Sequence, residues 1–287
     1  MTESAGTKNA GTEESPRFAF GKNWESFIAQ NFDESRLKIA SDHLLGFLKT
    51  DTLEGKRFLD IGSGSGLHSL AACRAGAREI VSFDYDRHSV STTAGLRHMA
   101  GDPPHWRVEQ GSVLDAAYME SLGTFDIVYS WGVLHHTGDQ WTAIRNAAAR
   151  VRPGGLFYVA LYTSDVFTPP RDAEFWLRIK RRYNEGGALT RRYLEMWYAA
   201  GILYSQYRQG NNPISYATGY KKSRGMSFYH DVRDWVGGWP MEFSWIAEVK
   251  QFLGDEQGGG ELGFELVNIA TGHANTEYLY RRPDGAA

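Results

Sequence analysis

A single cysteine, Cys73, in 287 residues rules out an internal disulfide framework and any cysteine-rich metal module. It falls in an apolar helical stretch and is read as a packing residue. Long apolar runs are also missing: none approaches the ~20 residues of a membrane span. The start, Met1-Thr2-Glu3-Ser4-Ala5, lacks the basic and apolar regions of a secretory signal. The expectation is a soluble cytoplasmic protein. Neither sign of charge is in excess, since 31 basic residues against 34 acidic ones leave a net charge of −3. That balance offers no bulk attraction to nucleic acid or to an anionic membrane, and neither is an expected partner. His135 and His136 are adjacent rather than four apart, and no Cys/His cluster supports them, so no metal is expected.

What is present begins with a glycine-rich turn. The apolar run Phe58-Leu59-Asp60-Ile61 stops in Gly62-Ser63-Gly64-Ser65-Gly66, and Leu67, Leu70 and Ala71 continue at helical spacing. Strand, glycine turn and helix N-terminus together place backbone N–H groups against an anionic or nucleotide-like ligand. A dinucleotide fingerprint would need G-x-G-x-x-G, whereas Leu67 occupies the sixth place here. A second strand, Glu79-Ile80-Val81-Ser82-Phe83, ends in Asp84, where a carboxylate accepts the hydroxyls of a ribose. A ribose-bearing ligand without a pyrophosphate fits this pattern better than a nicotinamide dinucleotide.

In these residues the chain resembles the class I S-adenosylmethionine-dependent methyltransferases, close to a ubiquinone-type subgroup that implies no defined acceptor. Asp60-Ile61-Gly62-Ser63-Gly64-Ser65-Gly66 is similar to their first motif and Asp84 to their ribose-binding acid. Phe125-Asp126-Ile127-Val128-Tyr129-Ser130 followed by Trp131-Gly132-Val133-Leu134-His135-His136 is similar to their fourth-strand motif, and Val151-Arg152-Pro153-Gly154-Gly155-Leu156 to the turn before their fifth strand. The likeness covers about Arg57 to Tyr162 and two late strands. It implies S-adenosylmethionine as cofactor and S-adenosylhomocysteine as product. Asp60 with Gly62, Ser63 and Gly64 would hold the amino-acid end, Asp84 the ribose, and Tyr85, Ser112 and Val113 the adenine. Ser130 joins this set at the end of the fourth strand.

Apolar strands alternate with helices from Arg57 to about 161, the mark of a parallel sheet covered on both faces. Strands are expected near 57–61, 79–83, 105–110, 125–130 and 155–161. Late strands at 263–269 and 276–280 read as a hairpin. By the resemblance, the fold class is an α/β, Rossmann-like seven-stranded sheet of order 3-2-1-4-5-7-6 with its last strand antiparallel. The expected organisation is a disordered tail over 1–16, a helical cover and cofactor-binding core over 17–162, a helical, aromatic-rich insertion over 163–260, and two closing strands over 261–287. A crossover needs only one helix, so the insertion is read as an acceptor-binding cap. Its basic residues Arg171, Arg178, Lys180, Arg181, Arg182, Arg191 and Arg192 read either as a solvated helix face or as a site for an anionic acceptor. Residues 224–242 depart from both periodicities and are expected to form a functional loop.

The resemblance implies methyl transfer to a small metabolite or natural product, at oxygen or nitrogen, by a monomer or homodimer. A protein or nucleic-acid acceptor and a non-catalytic cofactor-binding module are the alternatives. Against nucleic acid, Ser130-Trp131-Gly132 stands where a base-gripping Asn/Asp-Pro-Pro-Tyr motif would follow the fourth strand. Positioning supplies much of the rate in such a transfer, and a base is needed only when the acceptor must lose a proton. Candidate catalytic groups are His135 and His136 after the fourth strand, with Tyr229 and His230 from the insertion. Packing at a helix start is the competing role for the histidine pair. Phe20, Trp24, Tyr229, Asp231 and Trp239 are the candidate acceptor-binding residues, with Phe20 and Trp24 open equally to simple packing.

Overall fold

The computed structural model describes residues 34–224 and 227–285, so the expected tail over 1–16 and the candidates Phe20 and Trp24 lie outside the described residues. The apolar runs form β1 (Arg57–Ile61), β2 (Glu79–Asp84), β3 (Trp106–Gln110), β4 (Phe125–Trp131) and β5 (Val151–Tyr162), joined in parallel. A closing hairpin of β6 (Glu265–Thr271) and β7 (Asn275–Arg281) completes the sheet. The order is β3-β2-β1-β4-β5-β7-β6, with β7 antiparallel to both neighbours, as expected. β5 begins earlier than position 155: Val151 pairs with Phe125, and the ladder resumes at Ile127 and Leu156 across a bulge.

Alternation along the strands divides the core into two layers. Phe58, Ile127 and Tyr158 pack under α1 (Glu34–Leu48), α2 (Leu67–Arg74) and α3 (Arg87–Met99), through Leu37, Leu44, Leu70 and Leu96. Their neighbours Leu59, Val128 and Phe157 face the opposite layer. There α4 (Ala116–Ser121) contributes Met119 and α5 (Gln140–Ala148) contributes Ile144. Each fully buried Leu, Ile or Phe stabilises the fold by ~1.5–3 kcal/mol, so both faces must be covered. The helix α4 was not expected; six residues are too few for a 3.6-residue period to show, and its start is marked instead by Asp115, whose carboxylate accepts from the Tyr118 N–H at 3.0 Å.

Between β5 and β6 the chain adds α6 (Ala173–Glu185), α7 (Ala188–Arg208), α8 (Pro213–Arg224) and α9 (Phe228–Gly237). Tyr183, Leu194 and Val236 form a separate small core there, flanked by Tyr198 and Trp235. The expectation of an irregular loop over 224–242 is corrected by α9. Ser227 caps this helix, accepting from the His230 N–H at 3.3 Å, and Val232 and Val236, four residues apart, are its buried side. A further helix, α10 (Ile246–Leu253), returns to the main sheet and packs Val249 and Leu253 into its core. Among the described residues, no helix is long and apolar enough to cross a membrane.

Candidate functional site

The glycine turn takes its shape from hydrogen bonds to β2. The N–H groups of Gly62 and Ser63 both donate to the Phe83 carbonyl, at 2.8 and 3.1 Å. Gly62 has φ of 75°, and a Cβ there would lie 2.4 Å from a Val133 methyl carbon. Only glycine satisfies both conditions. The Gly64 N–H donates to Asp84 Oδ2 at 3.0 Å, tying the turn to the end of β2. Ser63 and Thr93 hydroxyls meet at 3.0 Å, closing the back of the turn against α3.

Asp60 lies beneath this turn and is 2% exposed. The Ser69 hydroxyl donates to its Oδ2 at 2.5 Å; Ser69 in turn meets the Ser82 hydroxyl at 2.6 Å, which also accepts from the Trp106 indole at 2.8 Å. Burial pushes the Asp60 carboxyl up to about 7; the Ser69 bond lowers it and the Asp84 charge raises it. Asp84, at the strand end, is also raised by burial, to about 6, against hydrogen bonds from the Asp86 and Gly64 N–H groups. Among the described residues no Lys, Arg or His pairs with either carboxylate. Two desolvated acids beside a glycine cradle form a site short of positive charge, which suits a cationic ligand.

The adenine-side candidates stand next along the same edge. The Gly111 N–H donates to the Asp84 carbonyl at 3.0 Å, drawing the loop after β3 against the end of β2. Tyr85 is 49% exposed beside it. Ser112 Oγ accepts from the Leu114 N–H at 3.2 Å, while the Val113 side chain belongs to the core and its carbonyl accepts from Asn146 at 2.9 Å. Ser130 is fully buried and donates to the Ile61 carbonyl at 3.1 Å. Its hydroxyl holds β4 to β1 rather than facing a ligand.

The histidine pair occupies a short 3-10 turn, Leu134–His136, after β4. His135 is 1% exposed, its Nδ1 accepts from the Tyr162 N–H at 3.3 Å, and its carbonyl accepts from the Glu242 N–H at 2.9 Å. Burial depresses its pKa well below the ordinary value, with His136 and Lys180 adding to the effect. The proton of the neutral ring therefore resides on Nε2, which has no partner among the described residues. This contradicts the expected general-base role, because the lone pair that would take a proton already faces a backbone donor. His136 Nδ1 donates to the Pro240 carbonyl at 2.7 Å, and burial lowers its pKa to about 4. Glu242 accepts from the Gln140 N–H at 2.9 Å, so the pair stitches residues 240–242 to the start of α5.

Above this turn an aromatic column joins sheet and insertion. The Tyr162 ring lies 4.3 Å from His135 and 5.7 Å from Trp235, and Trp235 reaches Trp176 at 5.3 Å. Lys180, 1% exposed, places Nζ 4.5 Å from the Trp235 ring centre and donates to the Trp235 carbonyl. Burial lowers its pKa to about 7. Asp231 accepts from the Tyr220 hydroxyl at 2.5 Å and, with Asp234, raises the Tyr162 pKa, which burial chiefly elevates to about 12. Tyr229 and His230 do not join this group. The Tyr229 hydroxyl donates to Glu195 Oε2 at 2.8 Å, and His230 Nδ1 meets Ser227 Oγ at 2.6 Å on the exposed side. Trp239 lies under Arg181, whose guanidinium is 5.7 Å from its ring centre. Lys180, Tyr162 and Trp235 were missed as site residues; the one signal available was a lysine inside the aromatic run of α6.

The family profile described as a methyltransferase domain matches residues 32–208. A ubiquinone biosynthesis O-methyltransferase from Rhizobium rhizogenes is 34% identical over 134 residues, 45% of this chain and 52% of that protein. A tRNA U34 carboxymethyltransferase from Chromohalobacter salexigens is 33% identical over 103 residues, 36% of this chain and 31% of that protein. The chain thus spans about half or less of the length of these curated relatives. Two solved structures share the fold. An O-methyltransferase family protein from Burkholderia thailandensis has a TM-score of 0.54 at 14% identity, over 93% of this chain and 59% of that one. Magnesium protoporphyrin IX methyltransferase from Synechocystis PCC 6803, with bound S-adenosylhomocysteine, has a TM-score of 0.52 at 13% identity, over 91% of this chain and 93% of that one. With the profile covering more than half its length, the chain belongs to the methyltransferase-domain family of class I S-adenosylmethionine-dependent methyltransferases.

Proposed function

We propose that the chain is a methyltransferase that uses S-adenosylmethionine to methylate a small molecule at oxygen or nitrogen in the cytoplasm. The observation that carries the cofactor assignment is the pair of carboxylates, buried Asp60 and half-buried Asp84, without a cationic partner among the described residues, on either side of a turn that excludes any Cβ at Gly62. These residues fit the cofactor's charge: Asp60 and the turn would hold the ammonium end, Asp84 the ribose hydroxyls, and Tyr85 with the loop at Ser112 and Val113 the adenine. When bound, the cofactor supplies an electrophilic methyl group whose departure leaves a neutral thioether.

The chain's own contribution is to fix the partners and exclude water. Residues 163–240 form the cap in this reading. Trp235, Trp176 and Lys180 wall the edge above Tyr162, and Asp231 supplies a carboxylate near that edge. His135 contributes a buried N–H donor, and His136 holds the segment that leaves the cap at Pro240 in place. A small acceptor suits an aromatic wall of this kind better than a long polyanion suits a chain with a net charge of −3.

Calorimetry with S-adenosylhomocysteine tests the cofactor, with Asp84→Ala expected to weaken binding by roughly 10–100-fold, the scale of one charge-assisted hydrogen-bond pair. Equal affinity in the variant refutes the ribose assignment. Incubating methyl-labelled cofactor with fractionated extract then tests the acceptor. Label in the small-molecule fraction is expected; label confined to tRNA or protein overturns the acceptor class while leaving the cofactor intact.

A further inference from the structure

The α1 face of the same sheet edge carries a second polar constellation, centred on His43 and Glu277, which lie outside the sequence motifs. Register sets Asp60 opposite Tyr129 and Tyr129 opposite Tyr158, a row running from the cofactor carboxylate across β1, β4 and β5. On β7, Glu277 pairs with Ala160, two residues nearer the carboxyl ends of the parallel strands than Tyr158. Three donors from three other elements converge on Glu277. They are the Tyr158 hydroxyl, the indole of Trp131 at the end of β4, and His43 on α1, whose Nε2 is 3.3 Å from Oε2. Burial pushes the Glu277 carboxyl up, but the bonds from His43, Tyr158 and Trp131 outweigh it and leave it below the ordinary value.

His43 differs from the histidine pair after β4 in exposure and in basicity. Its side chain is 43% exposed. The Glu277 bond raises its pKa, against a smaller lowering by burial, so the neutral ring is a stronger base than a free histidine. With Nε2 facing a carboxylate, the proton of the neutral ring resides there and Nδ1 presents its lone pair outward. His68, the second residue of the helix that the glycine turn opens, feels both His43 and Glu277 and packs 5.0 Å from the Tyr129 ring. Tyr129 in turn feels Asp60 and Glu277, and its hydroxyl is buried without a partner among the described residues. The constellation therefore adjoins the cradle on one side and ends in the half-exposed Trp131 on the other.

We propose that His43, held in its tautomer by Glu277, is the proton acceptor for the molecule being methylated, which binds between α1 and Trp131. This assignment rests on the methyltransferase reading. The acceptor's O–H or N–H bond breaks and its proton passes to His43 Nδ1. The electron pair left behind forms the bond to the methyl carbon, the carbon–sulfur pair stays on sulfur, and the imidazolium is stabilised by Glu277 until solvent takes the proton.

The test needs no knowledge of the acceptor. With isotope-labelled histidine, the His43 resonance is assigned by its loss in His43→Asn, and its titration is followed by NMR with S-adenosylhomocysteine bound and then with S-adenosylmethionine bound. The two ligands differ in the sulfonium charge. A base poised beside the methyl group must lose on the order of two pH units of pKa when that charge is present, the scale for unit charges about 6 Å apart near a protein surface. Glu277→Gln is expected to lower the midpoint in both complexes while the difference between them persists. His43→Asn is expected to bind both ligands as wild type does. Equal His43 midpoints in the two complexes, with both ligands bound by calorimetry, overturn the assignment and leave the pair as a clip between α1 and β7. Failure of both ligands to bind wild-type protein overturns the methyltransferase reading itself, and this assignment with it.

Discussion

Replacing Asp60 with asparagine should make the ligand-free protein more stable, by an amount that depends on pH. In the fold Asp60 titrates at about 7, against 3.8 for a free carboxyl, chiefly because it is buried. Three units at ~1.4 kcal/mol each correspond to about 4 kcal/mol, an upper figure because local water and relaxation soften burial. A carboxyl raised in the folded state binds more protons there than in the unfolded chain. Its contribution to stability is thus fully present below about pH 4 and is lost as pH rises to about 7. Asparagine keeps the shape and does not ionise. The stability difference between Asp60→Asn and wild type should therefore grow from near zero at pH 4 to its plateau near pH 7. At roughly 2–4 °C per kcal/mol for a domain of this size, the plateau is several degrees in Tm.

The same acid that destabilises the empty protein is expected to serve the bound one. The ammonium placed beside Asp60 and the ribose hydroxyls donating to Asp84 both favour the ionised carboxylate and lower its pKa, so binding S-adenosylhomocysteine near pH 6 should release protons. Calorimetry in two buffers of different ionisation enthalpy reads that release directly, and it should fade above about pH 8, where both acids are already ionised. Asp60→Asn should abolish most of it and weaken binding while raising Tm. Thermal scans of the ligand-free proteins from pH 4.5 to 8 decide the matter. A difference in Tm between variant and wild type that does not change with pH, or a binding enthalpy that is the same in both buffers, refutes the argument that these carboxylates are held out of water for a cation.

Two further outcomes follow from single side chains. Lys180→Met should stabilise the protein below pH 7 by an amount on the order of a few kcal/mol, because burial lowers the amine to about 7 from 10.5 and the folded state bears the whole cost of the charge there; denaturant unfolding should show the gain shrinking steadily as pH approaches 10.5. Gly62→Ala adds a methyl 2.4 Å from Val133 at a φ of 75° and should cost about 2 kcal/mol or more with loss of cofactor binding; combining it with Val133→Ala should recover the steric part in thermal scans while the backbone strain persists.

How much of this fold was legible follows from length and period. Largely apolar strands of five to seven residues, carrying Asp60, Asp84 and Ser130 at or next to their ends, announced themselves because a sheet buried on both faces needs continuous apolar runs. The six-residue α4 was invisible because it completes fewer than two turns. The helix α9 was hidden for a different reason. Its inward residues include Asp231 and Trp235 beside Val232 and Val236, so the buried side is partly polar and aromatic and produces no clean apolar stripe. What orders that helix is the pre-existing surface of α6 and α7, including Glu195, which is 6% exposed and receives the hydroxyls of Tyr183 and Tyr229. No window of sequence around α9 contains that surface.

The candidate cofactor residues and the candidate histidines show the same division more sharply. A glycine turn and the acids at its flanks are read from adjacent positions because one backbone segment makes the whole cradle, and its constraints, a positive φ and no room for a Cβ, are local. A general base is the property of a pair. His135 and His136 attracted attention by standing together after β4, yet adjacency along the chain carries no information about which ring nitrogen is already occupied. The fold assigns both rings to backbone partners, Tyr162 and Pro240. His43 has no neighbour in sequence that marks it. Its carboxylate comes from β7, 234 positions away, and only the antiparallel return of that strand beside β5 brings Glu277 to the edge where β4 ends. The closing hairpin is thus more than a cover for the sheet: in the proposed mechanism it carries the residue that sets the protonation state of the base, and Glu277→Gln examines strand topology and chemistry in one measurement.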